Sequence, residues 1–201
     1  RRTDAALWLI DRGVDIEATD QTGHRVLDYA SVLGLTEVVA RLSRGGSGGA
    51  DSRDAEGNTL LHQAVYNDQA EVVRTRLAAS KAQLDAPNDA GETPLLVACG
   101  RGNLHMARML LDAGADANRP LPNGTTPLHG AAQAGNRFLA EALLGAGAAI
   151  DARNGAGETP LLAAARAGNN EVVRLLVERH ANVHAADNLQ HTALYYAGER
   201  G

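Results

Sequence analysis

The sequence predicts an all-α solenoid of stacked helix-turn-helix units, with β-turn or hairpin fingers projecting from one edge. Three observations carry that prediction. One phrase occurs three times with small changes: GETPLLVACGRGN at 91–103, GTTPLHGAAQAGN at 124–136 and GETPLLAAARAGN at 157–169. Its opening glycine recurs at Gly23, Gly57, Gly91, Gly124 and Gly157, at steps of 34, 34, 33 and 33 residues, and a further 33 lands on Gln190. The composition is 44% hydrophobic but only 3% aromatic. A single globular core leans on large aromatic side chains, so Ala, Leu and Val must here pack locally, repeat against repeat.

Each repeat reads as turn, short helix, turn, longer helix. Asp or Asn stands three before the glycine in DQTG, DAEG, NDAG and NGAG. That is turn chemistry, and the glycine supplies a positive φ. Thr-Pro follows at 93–94, 126–127 and 159–160. Thr caps a helix, and Pro suits the first helical position because its missing N–H would be unpaired there anyway. The short helices LLVACG, LHGAAQ and LLAAAR come next, their alanines letting neighbouring backbones approach. They stop at Gly102, Gly135 and Gly168, each followed by Asn. A second helix, as in LHMARMLLDAG and NEVVRLLVERH, shows apolar residues at helical spacing. Turns such as GADAN and GAAID lead into the next repeat.

Taken in order, residues 1–19 hold a second helix and its turn without a first helix. Full repeats occupy 20–53, 54–87, 88–120, 121–153 and 154–186, and a partial repeat, TALYYAGERG with its finger, fills 187–201. All 201 residues are expected to form a single domain. The first full repeat diverges most: Arg25-Val26 replaces Thr-Pro, and its exit, LSRGGSGGADSR, is Gly-rich at 45–49. Because the 34-residue step survives, that stretch reads as an irregular loop rather than a flexible joint.

Composition also excludes. A net charge of −5 provides no basic stripe for a nucleic-acid backbone. The single cysteine, Cys99, forms no disulfide within the chain, and its place in a first helix makes it a small buried residue. No apolar run approaches the ~20 residues of a membrane span, and the opening RRTDAALWLID has no signal-peptide pattern. The chain is therefore expected to be soluble, cytoplasmic and monomeric by itself. Chemistry is hard to find. His180 and His184 have a metal-ligand spacing only on a helix, and the repeat puts them in a turn. The glycine runs GAGAAID and GGSGGAD follow no strand and lack the Lys-Ser/Thr that grips phosphate. No catalytic residue, cofactor or metal is expected.

This pattern resembles the ankyrin repeat family. TPLH stands intact at Thr126–His129 and partly as TLLH at Thr59–His62, and LLDAGADAN at 110–118 is a typical ending of the second helix. The family uses the histidine of TPLH to tie adjacent turns. Asp28, Leu96, Leu162 and Tyr195 replace it elsewhere, so those joints must be held differently. The resemblance implies fingers, a palm of first helices and a protein partner across that concave face. Mapped here, the finger tips are Glu56, Asn58, Asp89, Glu92, Thr125 and Glu158, with Gln21, Thr22, His24, Asn123, Asn188 and His191. The ends of the first helices offer Tyr66, Asn67, Arg101, Gln133 and Arg166, with Val32 and Leu33. Tyr66, Arg101 and Arg166 are of the types that dominate binding energy. Charge reversal at Arg101 and Arg166 is expected to leave the melting temperature nearly unchanged.

The expected function is a protein-protein interaction module without catalysis of its own. The alternatives are a substrate-recruiting segment of a larger enzyme, or a dedicated inhibitor or immunity-type protein of a partner enzyme. Asn118, in Asp116-Ala117-Asn118, resembles the turn asparagine that asparaginyl hydroxylases modify in some relatives. Its plain reading is a hydrogen-bonding turn residue.

Overall fold

A computed structural model describes residues 2–16, 18–21, 24–44, 53–79 and 83–200. The Gly-rich 45–49 stretch, and Thr22 and Gly23 of the first finger, lie outside them. Among the described residues the regular structure is helical, and the only strand-like pairings are isolated antiparallel bridges at Thr19–Arg25, Arg53–Thr59 and Ala186–Thr192. These bridges close fingers, as expected.

Two compact units divide the chain, Arg1–Val97 and Ala98–Gly201. The N-terminal unit begins with α1 (Arg2–Asp11), a second helix without a first. Two pairs follow, α2 (Val26–Val32) with α3 (Thr36–Arg44) and α4 (Leu60–Tyr66) with α5 (Ala70–Ala79), and then the opening of α6 (Pro94–Gly100), which contains the division. Here α1 packs on α3, α3 on α5 and α2 on α4, so like helices stack on like. The C-terminal unit continues with α7 (Leu104–Asp112), α8 (Pro127–Gln133), α9 (Arg137–Gly145), α10 (Pro160–Ala167), α11 (Asn170–Glu178) and α12 (Ala193–Arg200). First helices α8, α10 and α12 stack in one layer, and second helices α7, α9 and α11 in another.

Each short helix starts where its sequence says. Thr59, Thr126 and Thr159 adopt extended backbone and accept the amides of His62, His129 and Leu162. Pro94, Pro127 and Pro160 open their helices. Leu95, Leu128 and Leu161 are buried at equivalent positions, and so are Met106, Leu139 and Val172 one helix on. The core is thus a repeated layer of Leu, Val and Ala between neighbouring repeats. Burial of each methylene removed from water contributes about 0.8 kcal/mol.

The left-handed backbone recurs with the repeat even where glycine does not. Gly57, Gly91, Gly124 and Gly157 have φ near +75°, and Gln190, one step on, has φ 63°. Asp68 takes the place of Gly102, Gly135 and Gly168 with φ 56°, and His180 that of Gly114 and Gly147 with φ 66°. The fold imposes this conformation on whatever residue stands there.

Candidate finger edge and first-helix face

The finger is an Asx turn. Asp54 Oδ1 accepts the amides of Glu56 and Asn58 at 3.1 and 2.8 Å. Asn88, Asn154 and Asp187 do the same for the residues two and four further on. Burial alone would raise the Asp54 carboxyl, but hydrogen bonds from Gln63, Asn58 and Glu56 outweigh it and hold the group below the usual carboxylate range. Asp187 is held low in the same balance, with Tyr196, His191 and Leu189 donating.

Fingers are joined by backbone. Asp89 donates its amide to the Glu56 carbonyl at 3.1 Å, Gly155 to Asn123 at 2.8 Å and Asn188 to Ala156 at 3.0 Å. The approach leaves no room for a side chain. A Cβ on Gly57 would lie 2.9 Å from the Asp89 amide nitrogen, and one on Gly157 3.0 Å from that of Asn188. At Gly57 and Gly157 glycine is therefore favoured twice over, by φ and by the next finger.

Side chains add three kinds of tie. His62 and His129 accept the Thr59 and Thr126 amides at Nδ1, at 3.1 and 3.2 Å. Their Nε2 atoms donate to the Glu92 and Glu158 carbonyls of the following repeat, both at 2.8 Å. A carbonyl only accepts, so each ring is neutral with its proton on Nε2. Burial holds both imidazoles below their ordinary value, although the bonds to the carbonyls pull the other way. In three repeats the Asn or Gln after the left-handed position is the second tie. Asn136 caps α9 through Oδ1 and donates Nδ2 to the Gly102 carbonyl at 3.3 Å. Asn169 reaches back to the carbonyls of Ala132 and Gln133 at 2.9 and 2.8 Å, and Gln69 reaches that of Val32 at 2.7 Å. Thirdly, Arg53 donates to the Pro87 carbonyl and Arg153 to that of Ala186.

These contacts show what stands in for the histidine at Asp28 and Leu162. In the first full repeat, Asp28 accepts the Arg25 amide at 2.8 Å, taking over the capping half of the histidine's work. At Leu162 the joint rests on Asn188 and Arg153. Asn118 is also a tie: it donates to the Gly147 carbonyl at 3.0 Å and accepts the Ala149 amide at 2.7 Å.

The residues expected at the binding face fall into two groups. Tyr66, Asn67, Arg101, Gln133 and Arg166 are exposed at or just beyond the ends of their helices. The contrast inside α4 is sharp: Leu60 to Val65 are all buried and Tyr66 is 57% exposed. Asn67 spends its amide on the Gln63 carbonyl as a helix cap. Glu56 and Asp89 are exposed on the fingers, and Thr125 is half-buried with its amide on Asn123. Asn58 and Glu92 are engaged instead, Asn88 donating to both at 2.9 and 3.3 Å.

Glu158 departs from its expected place at an exposed tip. It is 7% exposed, and its carboxylate turns inward onto Arg166, with Nε–Oε1 at 2.7 Å. The pairing raises the Arg166 guanidinium still further above its ordinary value. Arg166 is thus a half-exposed brace, and charge reversal there is not the neutral surface change expected from the sequence.

Other chemistry-bearing groups have local explanations. Cys99 is buried, which pushes its thiol up to about 12. His180 and His184 lie in the turn after α11, and the His191 ring stacks on Tyr195 at 3.9 Å. Among the described residues, no three His, Cys, Asp or Glu side chains are grouped to hold a metal ion. No helix among them is long and apolar enough to cross a membrane.

One set of contacts escaped the sequence reading. Tyr29 donates to Asp20 and Tyr196 to Asp187, each at 2.5 Å, and Gln63 donates to Asp54 at 3.0 Å. The signal was present: a finger Asp is followed nine residues later by a long polar side chain, whereas Asn88 and Asn154 are followed by Val97 and Ala163.

Comparison with known proteins agrees with this geometry. A family model described as "Ankyrin repeats (3 copies)" matches residues 1–88, 75–154 and 138–201. The crystal structure of the ankyrin repeat domain of Bcl-3, a member of the IkappaB protein family, superposes with a TM-score of 0.87 at 25% identity, covering 97% of this chain and 87% of that one. A poly [ADP-ribose] polymerase tankyrase of Caenorhabditis elegans is 40% identical over 68 residues, 32% of this chain and 3% of the relative. The 26S proteasome non-ATPase regulatory subunit 10 of Dictyostelium discoideum is 33% identical over 91 residues, 45% of this chain and 39% of the relative. The matched segments are thus a small fraction of the first protein and well under half of the second.

Proposed function

The chain belongs to the ankyrin repeat family, and from that premise we propose that residues 1–201 act as one domain that binds a protein partner on the face formed by its fingers and first helices. It has no catalysis of its own. The supporting observation is the division of labour within each first helix. Residues 60–65 and 161–165 are buried in the stack, while Tyr66 and Arg166 at the same position of their repeats are exposed. Those positions differ from repeat to repeat, reading Val32, Tyr66, Gly100, Gln133 and Arg166. Stacking does not dictate their identity, and although Arg166 also braces Glu158, this variation is what a partner can use. Solenoids gather contact area from small contributions of this kind.

A pull-down with the intact chain, read by mass spectrometry, identifies the partner. Arg101→Glu with Gln133→Glu, and separately Tyr66→Ala, should then weaken binding by about thirtyfold if they remove hot spots. Arg108→Glu with Arg174→Glu, on the second helices, is the control. Loss from the control, or none from the palm set, places the partner elsewhere.

A second reading is favoured by the match to a segment of a polymerase: the chain is the substrate-recruiting part of a larger enzyme. The mass of the native gene product separates that reading from a stand-alone inhibitor.

A further inference from the structure

We propose that the first-helix face of the N-terminal unit receives a protein segment carrying paired apolar side chains flanked by Lys or Arg. The proposal rests on the concave-face reading above and names the chemistry of the partner there.

Tyr29 and Val32 on α2 and its C-cap Leu33 are 49%, 50% and 55% exposed, while Leu27, Asp28, Ala30 and Ser31 are buried. Their i, i+3, i+4 spacing makes one stripe along the helix. The α4 helix packs on α2, and Tyr66 occupies on it the position of Val32. Packed helix axes lie about 8–10 Å apart, so the stripe and Tyr66 form a single patch. Nothing in the stack demands that it be apolar, because the same position carries Gln133 and Arg166 in the C-terminal unit. An apolar patch with a polar rim is the usual mark of a protein contact.

The patch is also prepared. The Tyr29 hydroxyl donates to Asp20 at 2.5 Å, and the His24 ring lies 5.9 Å from the tyrosine ring. A side chain already held loses little freedom when a partner lands on it. The charge of the rim chooses the partner. The fingers around it carry Asp20, Asp54, Glu56 and Asp89 against Arg25 and Arg53. Arg53 directs its guanidinium onto the Gly57 and Pro87 carbonyls. An acidic rim favours a basic flank, and the chain as a whole carries −5.

The test is selection of a displayed random peptide library on the intact chain, followed by affinity measurement with a synthetic peptide of the winning sequence. Winners should pair two large apolar residues with flanking Lys or Arg. Leu33→Ser and Tyr66→Ser should each weaken that peptide by about tenfold or more, with unchanged thermal melting. Glu56→Lys with Asp89→Lys should weaken it at low salt and much less at high salt. An empty selection, winners with acidic flanks, or winners indifferent to Leu33 and Tyr66 would overturn the proposal. Winners lost on Arg101→Glu with Gln133→Glu but not on Leu33→Ser leave the concave-face reading standing and remove this one. Winners lost only on Arg108→Glu with Arg174→Glu contradict both.

Discussion

His129 donates from Nε2 to the Glu158 carbonyl at 2.8 Å while its Nδ1 accepts the Thr126 amide, so one neutral ring caps its own helix and holds the next finger. His62 repeats the arrangement with Thr59 and Glu92. Protonation would place a donor against the threonine N–H and break the cap.

Acid should therefore loosen the stack in a defined window. Both folded values lie below the ordinary 6.5 because of burial. Between the two values the unfolded chain binds more protons, so stability is fully present above the unfolded value and is lost as pH falls through the folded one. Urea melts at about pH 7.5 and pH 5 should show this loss in the native chain. His62→Leu with His129→Leu should cost about 2 kcal/mol per site at the higher pH, since each leaves a buried N–H without its acceptor, and should flatten the pH dependence. An unchanged slope would show that other groups carry the acid response.

Arg166 and Glu158 should behave as a brace. Arg166→Gln should lower stability by under about 1 kcal/mol, because the arginine is half-exposed and screened. Arg166→Glu should cost more, about 1–2 kcal/mol, by setting a second carboxylate against a buried one. Equal melting temperatures for the two variants would mean that the pair is incidental.

Positions His180 and Gln190 hold left-handed backbone without glycine, at φ 66° and 63°. That conformation costs a side-chain-bearing residue about 1–2 kcal/mol, partly offset by the greater freedom of glycine when unfolded. His180→Gly and Gln190→Gly should each stabilise by about 0.5–1 kcal/mol in denaturant melts. Destabilisation at both would show that the side chains make compensating contacts.

The second helices are tested through their central leucines. Leu110 and Leu143 are fully buried on α7 and α9. Leu110→Ala or Leu143→Ala should cost about 2–5 kcal/mol each. Values below about 0.5 kcal/mol at both sites would mean that these helices do not form the core of the stack.

Much of the fold was written in local chemistry. Thr126 and Pro127 announce a helix start, and Gly135 with Asn136 a stop, because capping and positive φ are properties of single residues. What those residues reach was less legible. Asn169 stands at the N-cap of α11 without a side-chain cap bond, and its amide is spent on Ala132 and Gln133, a repeat earlier. That choice depends on the spacing between repeats, which no local pattern encodes. Glu158 looked like a finger tip for the same reason. Its inward turn follows from Arg166 lying eight residues on, close enough to pair only once α10 is built. Of the candidate face, the ends of the first helices came from the family resemblance, which implies a palm there, and their exposure follows from where each short helix stops.

The most direct measurement is hydrogen-deuterium exchange of the intact chain with and without its captured partner. Added protection is expected in the fingers and at the ends of the first helices, around Glu56, Tyr66, Asp89, Arg101, Gln133 and Arg166, with α7, α9 and α11 unchanged. Protection confined to α7, α9 and α11 would contradict binding there.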